Sequence, residues 1–165
     1  MTTINLHPFG DINTDDLADD FYESELVVSG RPISIDLSFD EKSINKNTLK
    51  NVEKLVNGVS ELQDIAFSYM LEDYKKGDES DAVELYVEHH LEELDKSEIE
   101  KVFGSKNVDI NLFLSKLVLT RIGIYADRDD GFAIFDFTLP GNITDYLIVV
   151  TFDQNGIISD ISMES

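Results

Sequence analysis

The chain of 165 residues has no cysteine, which excludes disulfides, zinc–thiolate sites and a cysteine nucleophile. It is also poor in bases: 13 Lys and Arg stand against 34 Asp and Glu, a formal net charge of −21. Such a chain cannot neutralise phosphates, so non-specific nucleic-acid binding is excluded. It lacks the basic clusters that hold proteins to anionic lipid, and no apolar run approaches the roughly 20 residues of a membrane span. The opening Met1-Thr2-Thr3-Ile4-Asn5 has neither the basic nor the apolar region of a secretory leader. A cytoplasmic protein is the expectation, and the Asn142-Ile143-Thr144 sequon is then fortuitous.

What is present suits one domain over residues 1–165. A chain of this length buries about 68–70% of its unfolded surface and folds without a metal or disulfide. Glu25–Val28 and Ile33–Phe39 flank Ser29-Gly30-Arg31-Pro32, and the alternation with Gly and Pro between predicts a β-hairpin. A short strand around Ile4–Leu6 is expected to join it, stopped by His7-Pro8-Phe9-Gly10.

From Ser43 to Lys76 the period becomes helical. Val52, Leu55, Val56, Val59, Leu62, Ala66 and Met70 form one stripe, read either as one helix or as two breaking near Asn57-Gly58. A helix over Ser80–Leu94, capped by Ser80, follows. A short one starts at Ser97 with Glu100 at capping-box spacing, and another starts at Asp109. Four strands, Leu119–Tyr125, Phe132–Leu139, Tyr146–Phe152 and Ile157–Met163, are separated by short Gly-, Asn- and Asp-rich turns, an antiparallel meander. Strands, then three to five helices, then strands give an α+β fold, with one mixed sheet system and helices packed on one face.

The charge is clustered. Residues 11–25 hold seven acids, including Asp15, Asp16, Asp19 and Asp20, and no base; residues 77–100 hold ten acids and Lys96, a net −9. At roughly 100° per residue Asp81, Glu84, Glu88, Glu92 and Asp95 share one helix face. Like charges at this spacing cost a few tenths of a kcal/mol each. The face is either a solvated surface kept for solubility, or paired internally with the row Lys42, Lys46, Lys50 and Lys54, or a preorganised surface for a basic partner. Tyr22, Phe21 and Tyr86 are candidate anchors, since aromatic residues concentrate interface energy; core packing is the alternative for each.

Signals for catalysis are sparse. His90 falls on the apolar face of its helix and reads as a hydrogen-bonded core histidine. His89 has Glu93 four residues on, a weak pair of candidate metal ligands, but Glu88-His89-His90-Leu91-Glu92-Glu93 lacks the His-Glu-x-x-His spacing of zincins and the Glu-x-x-His of di-iron bundles. Asp127-Arg128-Asp129-Asp130-Gly131 places Gly fifth and Thr138 twelfth, unlike an EF-hand loop, and reads as a hairpin turn. Asp136 and Asp160 lie on strand faces, where two carboxylates about 5–9 Å apart act as acid and base; the solvent face of a sheet is the alternative. No cofactor is expected.

Arg121-Ile122-Gly123-Ile124-Tyr125, Phe132–Phe137, Leu147-Ile148-Val149-Val150 and the terminal Ile161-Ser162-Met163-Glu164-Ser165, with Val87–Leu91, resemble a bacterial family of small domains of unknown function that ends in a β-meander with a terminal Met-Glu-Ser. The resemblance covers the last third of the chain and one helix, and implies the fold and a bacterial source. By analogy with acidic bacterial proteins of this size, the expected function is an immunity protein or inhibitor neutralising a basic toxin or nuclease. The alternatives are a metal- or carboxylate-dependent hydrolase built on Asp136, Asp160 or His89/Glu93, and a housekeeping subunit of a homo-oligomer.

Overall fold

The computed structural model describes residues 3–17, 21–76 and 82–165. Its order is β1 (Thr3–Leu6), β2 (Gly10–Asn13), β3 (Phe21–Val28), β4 (Arg31–Ser38), α1 (Lys46–Asn57), α2 (Val59–Lys75), α3 (Ala82–Glu93), α4 (Lys96–Phe103), α5 (Ile110–Lys116), β5 (Val118–Tyr125), β6 (Ala133–Thr138), β7 (Leu147–Phe152) and β8 (Ile158–Glu164). β1 and β2 form their own two-stranded sheet, and β3 to β8 form a six-stranded sheet in sequence order. All neighbours in it are antiparallel except β4 and β5. That parallel pair needs a crossover, and the crossover holds α1 to α5. The fold is α+β, as the sequence predicts.

The β3–β4 hairpin turns on Ser29 and Gly30, at φ 51° and 78°. Two successive positive φ values make the type I′ turn whose twist suits a two-residue hairpin. Val28 and Arg31 then close the ladder as a doubly bonded pair, so Tyr22, Ser24, Leu26 and Val28 point their backbone groups at β4. Phe21, Glu23, Glu25 and Val27 point theirs outward. Pro32 pairs with Val27, a position where its missing N–H costs no bond to β3.

Alternation divides the sheet into two faces. One row of the inner face runs Ile35, Ile122, Phe135, Val150 and Ile161 across five strands in register; the first four are fully buried. Burying each large apolar side chain favours folding by about 1.5–3 kcal/mol. Phe67 of α2 meets Phe137 of β6 edge-on at 5.3 Å, and α3 lies on β7 and β8, so the helices cover this face. The other face carries Glu23, Glu25, Asp36, Arg121 and Asp136 and is left open.

Three local expectations are corrected. The strand expected over Glu25–Val28 begins at Phe21. The Ile4–Leu6 strand pairs with β2 and not with the hairpin, although Ser24 Oγ donates to Pro8 O at 2.9 Å and ties the two together. Helix α4 is capped two residues earlier than expected: Asp95 accepts from Glu98 N at 2.8 Å, and Glu98 accepts from Asp95 N at 3.0 Å. The expected Ser80 cap lies outside the described residues. The open question at Asn57-Gly58 resolves as two helices meeting at Gly58, where an added Cβ would stand 3.2 Å from Lys54 O.

Candidate partner-binding surface

Helix α3 turns Val83, Tyr86, Val87 and His90 into the core. The opposite side leaves Glu88, Glu92 and Glu93 exposed and Glu84 half-buried. Among the described residues no ion pair joins these acids to Lys42 or to Lys46, Lys50 and Lys54 of α1. All four lysines are exposed. Internal pairing with the lysine row is therefore not how this acidic face is held. Asp95 does not continue it: α3 ends at Glu93, and Asp95 is the exposed cap of α4. Asp81 lies outside the described residues.

The other acidic stretch sits elsewhere. Asp15 and Asp16 are exposed after β2, and Leu17 N donates to Lys42 O at 2.8 Å, anchoring them beyond the end of β4. Glu23 and Glu25 are exposed on β3; Asp19 and Asp20 lie outside the described residues. Tyr22 is half-buried, edge-on to Phe39 at 6.2 Å, whereas Phe21 is 57% exposed and Val27 69%. Helix α3 also exposes an apolar side chain, Leu85, at 53%. β3 and β8 are the two edges of the six-stranded sheet, about 24 Å apart at roughly 4.8 Å per strand, and α3 packs at the β8 side. Among the described residues the two acidic stretches thus form separate patches, not one continuous surface.

Between them, on the open face, lies a cluster that sequence reasoning did not assemble. Arg121 Nε and Nη2 donate to Asp36 at 2.8 and 3.0 Å, and Nη1 donates to Asp136 at 3.4 Å. Burial opposes the charge of Arg121, and the bonds to Asp36 outweigh it, leaving the guanidinium more firmly protonated than usual. Burial raises the Asp136 carboxyl above its ordinary range against the pull of Arg121. Gly123 makes room: an added Cβ would stand 2.8 Å from Arg121 Nη2. Asp36 was legible only as an alternating residue of β4; its partner became visible once β4 and β5 were known to be parallel neighbours. Asp160 is on the same face but two strands from Asp136, roughly 10 Å sideways with a further two-residue offset along the strand. That is beyond the separation of a carboxylate acid–base pair.

His90 and Tyr86 of α3 are structural. His90 is 2% exposed; its Nδ1–H donates to Tyr86 O, and its Nε2 accepts from Thr144 Oγ1, both at 2.7 Å. Burial lowers its pKa and keeps the ring neutral, which suits this pattern. Tyr86 is fully buried, so it is no interface anchor. Its hydroxyl donates to Tyr146 O at 3.1 Å and accepts from Leu139 N at 3.3 Å. His89 rests edge-on against Tyr146 at 4.8 Å, and no group of three metal-ligating side chains forms among the described residues, so the pair His89/Glu93 gains no further ligand. In the Asp127–Gly131 turn, Asp127 accepts from Asp40 N and Glu41 N, and Arg128 pairs with Asp40 at 2.7 Å. The turn clasps the end of β4. Clefts of about 230 to 550 Å³ lie along the helices and the β7–β8 turn, none lined by Asp136, Asp160, His89 or Glu93.

No protein-family model, no curated protein and no solved structure matches the chain. No helix among the described residues is long and apolar enough to cross a membrane.

Proposed function

We propose that this chain is an acidic binding protein whose partner is a basic protein, specifically an immunity protein or inhibitor that neutralises a basic bacterial toxin or nuclease. The observation that carries the proposal is the unpaired acidic face of α3: Glu84, Glu88 and Glu92 stand four residues apart with no lysine or arginine bonded to them among the described residues. The helix accepts a repulsive row that one neighbouring base would relieve. In the mechanism, the clustered negative potential steers the partner and raises the association rate by about 10–10³. Contacts made after docking then hold the complex.

Capture from native extract on the tagged protein, washed at low salt and at roughly 0.5 M salt where the screening length falls to a few ångström, tests the proposal. A stoichiometric basic protein is expected at low salt. Recovery should drop for the variant carrying Glu84→Gln, Glu88→Gln and Glu92→Gln, which should keep the wild-type circular dichroism. Clean bait in both washes, or equal recovery by the variant, contradicts it.

A further inference from the structure

We infer that the outer edge of β3 is a docking strand that takes an extended basic segment of the partner by adding it to the six-stranded sheet. The inference rests on the proposal of a basic partner and names where and how that partner is held.

β3 is an eight-residue edge strand with an unbroken register to β4. Natural edges of this length are usually blunted by a bulge, a proline, charged side chains or a covering element. β3 has no bulge or proline; its charges are Glu23 and Glu25, of one sign, which repel an acidic strand and favour a basic one. Among the described residues no backbone bond joins Phe21, Glu23, Glu25 or Val27 to the β1–β2 hairpin. The outward backbone groups are those of Phe21, Glu23, Glu25 and Val27, a full set of alternating donors and acceptors. The same four residues place their side chains on the open face, all exposed. An added strand would therefore bond to the residues that also read its side chains.

Charge selects the occupant. A second copy of β3 laid antiparallel and centred on Ser24 sets Glu23 against Glu25 twice; centred on Glu23 or Glu25 it sets one glutamate against itself. Like charges directly opposite are destabilising. A strand with Lys or Arg opposite Glu23 and Glu25 forms two favourable pairs instead. Phe21 and Val27, both exposed, flank those pairs and offer apolar contact.

The probe is the blocked peptide Thr-Val-Lys-Val-Lys-Val-Thr, which sets lysines opposite both glutamates. Its control is the same peptide N-methylated at both lysines, keeping the charge and losing the donors. Titration into the full chain at about 0.15 M salt, the physiological ionic strength, is followed by amide shifts and hydrogen exchange. The amides of Phe21, Glu23, Glu25 and Val27 should gain protection on adding the parent peptide, while those of Tyr22, Ser24 and Leu26, already bonded to β4, should not change. Val27→Pro removes one outward N–H where an edge strand tolerates it. It should weaken the peptide at least tenfold, whereas the triple glutamine variant of α3 should stay within twofold of wild type. Exchanging Glu23→Lys and Glu25→Lys should abolish binding of this peptide and admit its counterpart with Glu at the two lysine positions.

Equal binding of parent and N-methylated peptides, no binding up to about 1 mM, or full binding by Val27→Pro overturns the inference. Binding that instead perturbs α3 and vanishes in its glutamine variant overturns the docking strand while leaving the basic-partner proposal standing. A dimer dissolved by Val27→Pro in sedimentation assigns the edge to a second copy and likewise overturns it.

Discussion

Arg121 shows how one residue holds the open face of the sheet. It sits between two carboxylates that are 4% and 7% exposed, Asp36 and Asp136, and its geometry favours the first. Arg121→Met strands both carboxylates; the Arg121 side chain is 35% exposed, so the loss should fall below the roughly 3–5 kcal/mol of a fully buried pair, read as a shift in urea midpoint. Asp36→Asn should cost more than Asp136→Asn, because Asp36 takes two short bonds and Asp136 one long one; the reverse order would refute this assignment. His90 gives a prediction in pH. Its folded pKa lies below the unfolded value of about 6.5, so its contribution to stability is present above that value and is lost as pH falls through the folded one. The stability advantage of wild type over His90→Gln should therefore shrink between pH 7.5 and 5.5. Thr144→Val, which removes the donor to Nε2, should cost about 1–3 kcal/mol at neutral pH.

At the scale of elements, Asp95 separates a structural acid from a surface one. Asp95→Ala removes a helix cap and should cost about 1 kcal/mol, while Glu92→Gln on the exposed face should cost nothing and gain at most a few tenths of a kcal/mol by relieving the like-charge row. Equal losses would mean that Glu92 has a structural partner. Most elements were legible because their patterns are strong: the Val52–Met70 stripe, the Gly- and Asn-marked turns, and the alternating runs of the meander. β3 was half hidden, since Phe21-Tyr22-Glu23-Ser24-Glu25 reads as part of an acidic stretch before it reads as a strand. Its inner residues, Tyr22 and Ser24, are too polar to announce an apolar face. The α4 cap was misplaced by two residues because Asp95-x-x-Glu98 and Ser97-x-x-Glu100 fit the capping box equally; only the bonds decide. The Asp36–Arg121–Asp136 cluster was not legible at all. It depends on β4 and β5 being parallel neighbours across the crossover that holds α1 to α5, a pairing no local pattern encodes.

For the whole molecule, the sheet keeps the acidic patches apart. The α3 patch lies at the β8 side and the β3 patch at the other edge, a separation of about 24 Å at roughly 4.8 Å per strand, which exceeds the screening length of about 8 Å at physiological salt. Each patch therefore acts locally once contact is made, while both add to the field that a basic partner meets at distance. The central claim is that this field guides a basic protein to the acidic surface, and the most direct measurement is the association rate of the captured partner in stopped flow from low to roughly 0.5 M salt, for wild type and for the triple glutamine variant of α3. The account predicts a rate that falls steeply with ionic strength, and a shallower dependence with a slower low-salt rate for the variant. A rate independent of salt, or identical curves for the two proteins, would contradict it.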